Sequence, residues 1–304
     1  MSTALLSDDT PVVLAVDIGG TKLAAAVVDG AGRLLDQARV DTPSSDDPEQ
    51  VFGALTAVIG RVLSATPLQP VVCGVGCGGP MQWGGEAVSP LNIGAWRGFP
   101  LRSRLTELVG LPVAVDNDAK ALALGEGWLG AARGVPDYLA IVVSTGVGGG
   151  IVLDNRLLDG RAGNAGHIGH VVVEPQGRAC VCGGRGCLEA EASGSSIEVA
   201  TGLPASEASD AVRRRTGTLV GRAAASVANL LDLDLAVVAG SVALGFGAVF
   251  FDAAQEELDL RCHLDFSRST RIVPAGLGAD GPLTGAAAVG RRSVAAAPHR
   301  GEAA

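Results

Sequence analysis

One pattern occurs twice in this chain and constrains its fold more than any other feature. Residues 12–17 form an apolar run ending in an acid, IGGT follows, and residues 22–29 are a second apolar run. A turn at 30–32 leads into an alternating stretch at 33–40. Later, residues 138–143 are apolar, 144–150 read STGVGGG, and 151–154 form a strand that ends in a turn at Asn155 and Arg156. Strand, glycine-rich loop, strand and turn thus repeat. A duplicated supersecondary unit predicts two lobes of mixed α/β structure on one plan, and 304 residues are enough for two. Between the copies a short strand is predicted at 112–115 and an Ala/Leu-rich helix at 118–132. Beyond them the spacing predicts helices at 211–231, 246–260 and 283–297, with strands at 235–238 and 271–274.

Composition narrows what these lobes do. Hydrophobic residues make up 47% of the chain but aromatics only 3%, so Ala, Val, Leu and Gly must fill the cores. The formal net charge is -9 and the basic residues are nearly all arginine, with Lys22 and Lys120 the only lysines. Arg213, Arg214 and Arg215 read as one solvated helical turn. This balance argues against a nucleic-acid or anionic-membrane partner. The opening MSTALLSDDTP has no basic region typical of a signal peptide. No apolar run reaches the roughly 18 residues that a membrane span needs. A cytoplasmic, reducing location is expected, where clustered cysteines are more often ligands than disulfides.

Such a cluster is present in GHIGHVVVEPQGRACVCGGRGCLE at 166–189. His170, Cys180, Cys182 and Cys187 have the donor types and short spacing of a Cys3His zinc site. Four protein ligands leave no open position, so a structural Zn2+ is expected. Cys73, Cys77 and Cys262 lack such spacing and read as small packing residues.

DIGGTK at 17–22 lies between strands. A Walker loop or a dinucleotide fingerprint needs a helix after its glycines, so neither fits. Gly19 and Gly20 nevertheless let backbone N–H groups approach a phosphate. Thr21 adds a hydroxyl, Lys22 a charge, and Asp17 a carboxylate for hydrated Mg2+. STGVGGG offers a second such loop, with Thr145, Gly146, Gly148 and Gly149. Either loop alone reads equally well as a tight turn, but two equivalent loops suit a phosphorylated nucleotide. AGS at 239–241 puts Gly240 and Ser241 at the carboxyl end of a strand, where open sheets bind ligands. In VDNDA at 115–119 Asn and Asp are preferred helix caps and one of them must cap the following helix; the functional reading needs only one for that, with Asn117 meeting a ligand hydroxyl and Asp118 acting as a general base. In SPLNIGAW at 89–96, Asn92 is a candidate sugar ligand and Trp96 a packing residue.

Taken in order, DIGGTK, GCGGP, SPLNIGAW, VDNDA, STGVGGG, AGHIGH, CVCGGRGCLE and AGS resemble the ROK family of sugar kinases and regulators over nearly the whole chain. The resemblance implies an actin-like, ribonuclease-H-like α/β fold with two lobes and a cleft that closes over ATP and a hexose. It implies a small lobe at 1–118, with the C-terminal helix at about 283–297 packing back. A large lobe at 119–282 would carry the zinc loop at 167–189. Asp118 would take the proton from the 6-hydroxyl, while Asn92, Asn117, His170 and Glu189 hold other hydroxyls. His170 would serve both metal and sugar. Glucokinase-type phosphorylation by ATP is the main expectation, with a homodimer or homotetramer as the family habit. Glucose kinases of the family carry AGEIGH where this chain has AGHIGH, so His167 replaces a glutamate. An imidazole offers one donor and one acceptor, which suits an N-acetyl carbonyl and makes an N-acetylmannosamine or other N-acylhexosamine kinase the alternative. A sugar-responsive repressor is disfavoured, because only sixteen residues precede Asp17 and Asp118 is retained. A zinc-stabilised interaction module without activity is disfavoured because the base and both loops are present.

Overall fold

The computed structural model describes residues 11–295. The opening segment read for a signal peptide and the last residues of the helix expected at 283–297 lie largely outside that range. The chain divides into two compact units. One comprises the described residues up to Ala121 and from Ala279 onward, and the other is Leu122–Gly278.

The first unit is built on a five-stranded sheet. Strands β1 (Val13–Ile18), β2 (Lys22–Val28) and β3 (Leu34–Asp41) form an antiparallel meander. β4 (Val72–Cys77) pairs parallel to β1, and β5 (Val113–Asn117) parallel to β4, giving the order β3-β2-β1-β4-β5. β1 and β4 are apolar because both of their faces are covered. Helix α1 (Pro48–Ala65) starts at Asp47, whose side chain accepts from the Glu49 N–H at 2.9 Å, with proline in the first turn. It buries Val51, Phe52, Leu55, Val58, Ile59 and Val62, one stripe at helical spacing. Helix α2 (Leu101–Val109) has no counterpart in the expectations. Its polar, arginine-rich exposed face hides an apolar side of only two buried leucines, Leu101 and Leu105.

Helix α3 (Asp118–Leu129) begins in the first unit and continues into the second, whose sheet repeats the plan. β6 (Tyr138–Val143), β7 (Val147–Leu153) and β8 (Arg156–Leu157) form the meander. β9 (Leu235–Ala239) runs parallel to β6, and β10 (Arg271–Pro274) parallel to β9, giving β10-β9-β6-β7-β8. From the meander outward the two strand orders are the same, so the duplication legible in the sequence is a duplication of topology.

Two short helices, α4 (Leu188–Ala192) and α5 (Gly194–Thr201), follow the cysteine block, and α6 (Asp210–Leu231) packs on the sheet. The helix expected at 246–260 is α8 (Ala248–Asp259), and a short helix that was not expected, α7 (Ser241–Phe246), precedes it. Gly247 at φ +60° and ψ -144° separates the two, a conformation open to glycine alone. Gly217 and Gly221 let α6 approach α8 so closely that a Cβ on either would strike the Phe250 or Ala254 carbonyl. Helix α9 (Gly281–Ala295) returns to the first unit, where Gly74 of β4 leaves room for the Ala286 carbonyl. Among the described residues, no helix is long and apolar enough to cross a membrane.

Candidate active site

In the first unit the predicted residues gather at the carboxyl ends of β1, β4 and β5, which pairing places side by side: Asp17 stands opposite Gly76, and Cys77 opposite Asn117. A Cβ on Gly76 would lie 3.8 Å from Asp17 Oδ1 and 3.7 Å from the Asp118 Cα, so the two carboxylates share one corner. Burial, and then the charge of Asp118, push the Asp17 carboxyl up to about 7. Both candidates take part in capping. The Ala119 N–H is shared between Asn117 Oδ1 at 3.1 Å and Asp118 Oδ1 at 2.8 Å. Asp118 is the first helical residue, where the positive end of the helix favours a carboxylate. Behind them Asp116 pairs with the buried Lys120 at 3.0 Å and accepts from the Asn117 N–H at 2.9 Å. Asn92 is exposed and stands over Gly20, where any Cβ would overlap its side chain. Trp96 is fully buried and stacked on Phe99, with ring centroids 4.3 Å apart.

The turn from β1 to β2 is held from outside. The Thr42 hydroxyl donates to the Gly19 carbonyl at 2.7 Å, and the Thr42 N–H to the Thr21 carbonyl at 3.0 Å. Its amides at Gly20 and Thr21 donate to nothing among the described residues. The turn from β6 to β7 has the same character. Gly194 N–H donates to the Ser144 carbonyl at 2.7 Å, and Ser195 donates to the Thr145 carbonyl through its N–H at 3.3 Å and its hydroxyl at 3.1 Å. Again two consecutive amides, Thr145 and Gly146, donate to nothing among the described residues. Two consecutive amides without an internal acceptor are donors that an anion could meet.

Some predicted members are displaced. Gly148 and Gly149 are not in the turn but in β7, paired with Val142 and Ile141. The reason for Gly149 is packing, since a Cβ there would sit 2.8 Å from Ile168 Cγ2 and 2.9 Å from the Ala140 carbonyl. Lys22 is exposed at the start of β2. Gly240 and Ser241 do reach the second turn, where Ser241 Oγ lies 3.0 Å from Ser144 Oγ. Gly240 has φ +100° and a Cβ on it would collide with the Val143 carbonyl.

His170, Cys180, Cys182 and Cys187 converge, with all four ligand atoms within 4.8 Å of one another. His170 Nδ1 is 3.7 Å from Cys180 Sγ, and Cys182 Sγ is 3.7 Å from Cys187 Sγ. A tetrahedral zinc with Zn–S bonds near 2.3 Å sets sulfur ligands about 3.8 Å apart, so the donor set fits. Gly184 closes the knuckle, where a Cβ would come within 3.4 Å of Cys182 Sγ and 3.5 Å of Cys187 Sγ. Burial pushes the Cys187 thiol up to about 12, so only a bound cation would make it a thiolate ligand at neutral pH. His167 is exposed on the turn before His170, the two rings nearly parallel with centroids 6.1 Å apart. Glu189 follows the knuckle, and its Oε2 accepts from the Val147 N–H at 3.0 Å.

Residues 13–293 match the family model described as ROK family. The chain belongs to the ROK family. This ROK chain is 40% identical over 250 residues to an N-acetylmannosamine kinase of Citrobacter koseri, covering 77% of this chain and 84% of that one. Among solved structures it is similar to a ROK hexokinase of Thermus thermophilus, with a TM-score of 0.80 and 33% identity over 93% of this chain and 99% of that one. A ROK glucokinase of Streptomyces griseus in complex with glucose and AMPPNP matches with a TM-score of 0.79 and 32% identity, covering 92% of this chain and 99% of that one.

Sequence reasoning missed Thr42, Gly194 and Ser195, which hold the turns. None lies in a glycine motif. Gly194 and Ser195, in SGSS after the cysteine block, sit where a helix N-terminus could be suspected.

Proposed function

We propose that this ATP-dependent sugar kinase phosphorylates N-acetylmannosamine, or a close N-acylhexosamine, at the 6-hydroxyl. The observation that carries the substrate is the 40% identity to the N-acetylmannosamine kinase of Citrobacter koseri, joined to histidine in AGHIGH. Glucose, the main expectation from the motifs alone, becomes the second reading; the names of the Thermus and Streptomyces neighbours favour it.

In the first unit, Asp118 takes the proton of the attacking hydroxyl as its oxygen bonds to the γ-phosphorus and the bond to the leaving ADP oxygen breaks. Such general-base assistance is worth about 10²–10⁴ in rate. Asn92 and Asn117 donate to sugar hydroxyls, and Lys22 with the amides of Gly20 and Thr21 meets phosphate oxygens. Asp17, whose carboxylate shares its buried corner with Asp118, would hold Mg2+, which neutralises phosphate charge. In the second unit, Thr145 and Gly146 meet phosphate oxygens, Ser241 lies beside their turn, Glu189 accepts from a sugar hydroxyl, and His170, with one ring nitrogen on the metal, donates its other ring N–H to a sugar oxygen. His167 presents its ring N–H to the acyl carbonyl. Zn2+ on His170, Cys180, Cys182 and Cys187 would fix the loop that carries these groups. A cytoplasmic dimer or tetramer follows the family habit, and light scattering reads the assembly.

The test is a coupled ADP-release screen over N-acetylmannosamine, N-acetylglucosamine, glucose, mannose and fructose, repeated on His167→Glu. The N-acylated sugars should lead in the wild type, and the variant should shift preference toward glucose. Equal preference for glucose in both proteins would discard the role of His167.

A further inference from the structure

Glu189 occupies a position that a sugar ligand alone does not explain. Its Oε2 accepts from the Val147 N–H at 3.0 Å, and the Gly146 Cα is so near that a Cβ there would sit 2.9 Å from the same oxygen. Oε1 accepts nothing among the described residues. The backbone of Glu189 is fixed as well. Its carbonyl accepts from the Ser193 N–H at 3.2 Å and from the Ser196 hydroxyl at 2.8 Å. The neighbouring Leu188 N–H donates to the Val171 carbonyl at 2.9 Å, next to His170. The carboxylate is therefore held between the metal knuckle and the turn from β6 to β7.

The backbone of that turn has three outside anchors, beside the Ser241 hydroxyl that meets Ser144 Oγ. Gly194 and Ser195 take its carbonyls on one side, and Glu189 takes the N–H of Val147 on the other. The carbonyl anchors come from neutral groups at the start of α5. The Glu189 anchor is charge-assisted, and such bonds are roughly twice as strong as neutral ones. A negative charge beside two amides that await a phosphate works against anion affinity, so its presence there is explained by what it holds in place. Without it Val147 N–H is freed, and the turn can rotate Thr145 and Gly146 away from the arrangement in which both amides face outward.

We propose that Glu189 is a positioning residue for the phosphate turn: through Oε2 it ties Gly146 and Val147 to the end of the cysteine knuckle, while Oε1 is left for the sugar. This rests on the kinase reading above, in which that turn meets nucleotide phosphate. The second site of the molecule thus has one carboxylate serving both substrates.

The experiment measures binding of a non-hydrolysable ATP analogue with Mg2+ and without any sugar, in the wild type, Glu189→Ala and Glu189→Gln. A role confined to the sugar leaves this affinity untouched. The anchor predicts a dissociation constant about tenfold weaker for Glu189→Ala, while Glu189→Gln, which keeps an acceptor oxygen and sheds the charge, stays within about threefold of wild type. Amide hydrogen exchange at Val147 should be faster in Glu189→Ala and intermediate in Glu189→Gln. Wild-type affinity in Glu189→Ala at an unchanged melting temperature overturns the proposal. If Glu189→Ala does not fold, unchanged Val147 exchange in Glu189→Gln overturns it. A wild type that neither binds the analogue nor turns over ATP overturns the kinase reading instead, which separates the two failures.

Discussion

The turns joining β1 to β2 and β6 to β7 occupy equivalent places in sheets of the same strand order, yet they are built by different means. Each leaves two consecutive amides outward, at Gly20 and Thr21 in one and at Thr145 and Gly146 in the other. The first is clamped by a single residue, Thr42, through hydroxyl and amide together. The second is clamped by three, Gly194, Ser195 and Glu189, from the segment after the cysteine knuckle. The surroundings differ too. Beside the first turn stand two carboxylates, and the second is reached through thiols and an imidazole. A duplicated backbone has kept the donor geometry and diverged in its supports. The first unit gathers two carboxylates in one corner, and the second a Cys3His set of donors that fits a soft metal.

The largest effect should come from the carboxylate corner. Asp118→Asn is expected to cut kcat by about 10²–10⁴ with the melting temperature unchanged; full activity would move the base elsewhere and undo the division of labour. Next is the brace. Cys180→Ser should lose the single bound zinc, measured by metal analysis, and lower the melting temperature by about 5 °C or more, since metal binding is coupled to folding. A metal-free wild type with full stability would remove the contrast between the units.

Thr42→Val sharpens the comparison of the clamps. It deletes one hydroxyl bond to Gly19 and keeps the backbone bond, so the KM for ATP should rise about threefold to tenfold while the KM for sugar is unmoved. A change in both constants would show that Thr42 supports the whole corner and not the turn.

The smallest effect is a difference in sign with pH. Burial and the charge of Asp118 raise Asp17 to about 7. The folded first unit then holds a proton that the unfolded chain releases near pH 4, and stability falls as pH rises from about 4 to about 7. Burial alone would raise Glu257 in α8, but Arg222 and Arg261 outweigh it and hold that carboxyl low. Its contribution is present above the ordinary glutamate range and is lost as pH falls below it. In Mg2+-free buffer, Asp17→Asn should melt higher than wild type at neutral pH and match it at pH 4, whereas Glu257→Gln should melt lower at neutral pH. The same trend in both variants would break the contrast.

Much of the fold could be read from periodicity, because the meander strands are apolar runs between glycine turns and α1 and α6 have clear stripes. The elements that escaped are short or polar. Helix α2 buries only two leucines, and α4 and α5 sit within a segment dominated by cysteine, serine and glycine. Helix α7 escaped because it is only six residues long and ends at Gly247, whose backbone angles are not written in its identity. At the site, residue types chosen for chemistry were legible: the four metal donors, Asp17, Asp118 and the turn glycines. Gly148 and Gly149 were read as loop but lie in β7, and Gly149 packs closely there; a glycine needed for close packing and one needed for ligand approach look alike in sequence.

Local chemistry determined by itself that this chain has two glycine-containing turns between strands, a Cys3His donor set and a helix-capping NDA triplet, since each depends on residue types at short spacing. Tertiary structure decided that Asn117 and Asp118 share the capping of α3, that Asp17 and Asp118 share a buried corner, and that Glu189 holds Val147. Those are contacts between segments distant in sequence or choices among adjacent side chains, and only pairing in space sets the distances on which hydrogen bonding and charge depend.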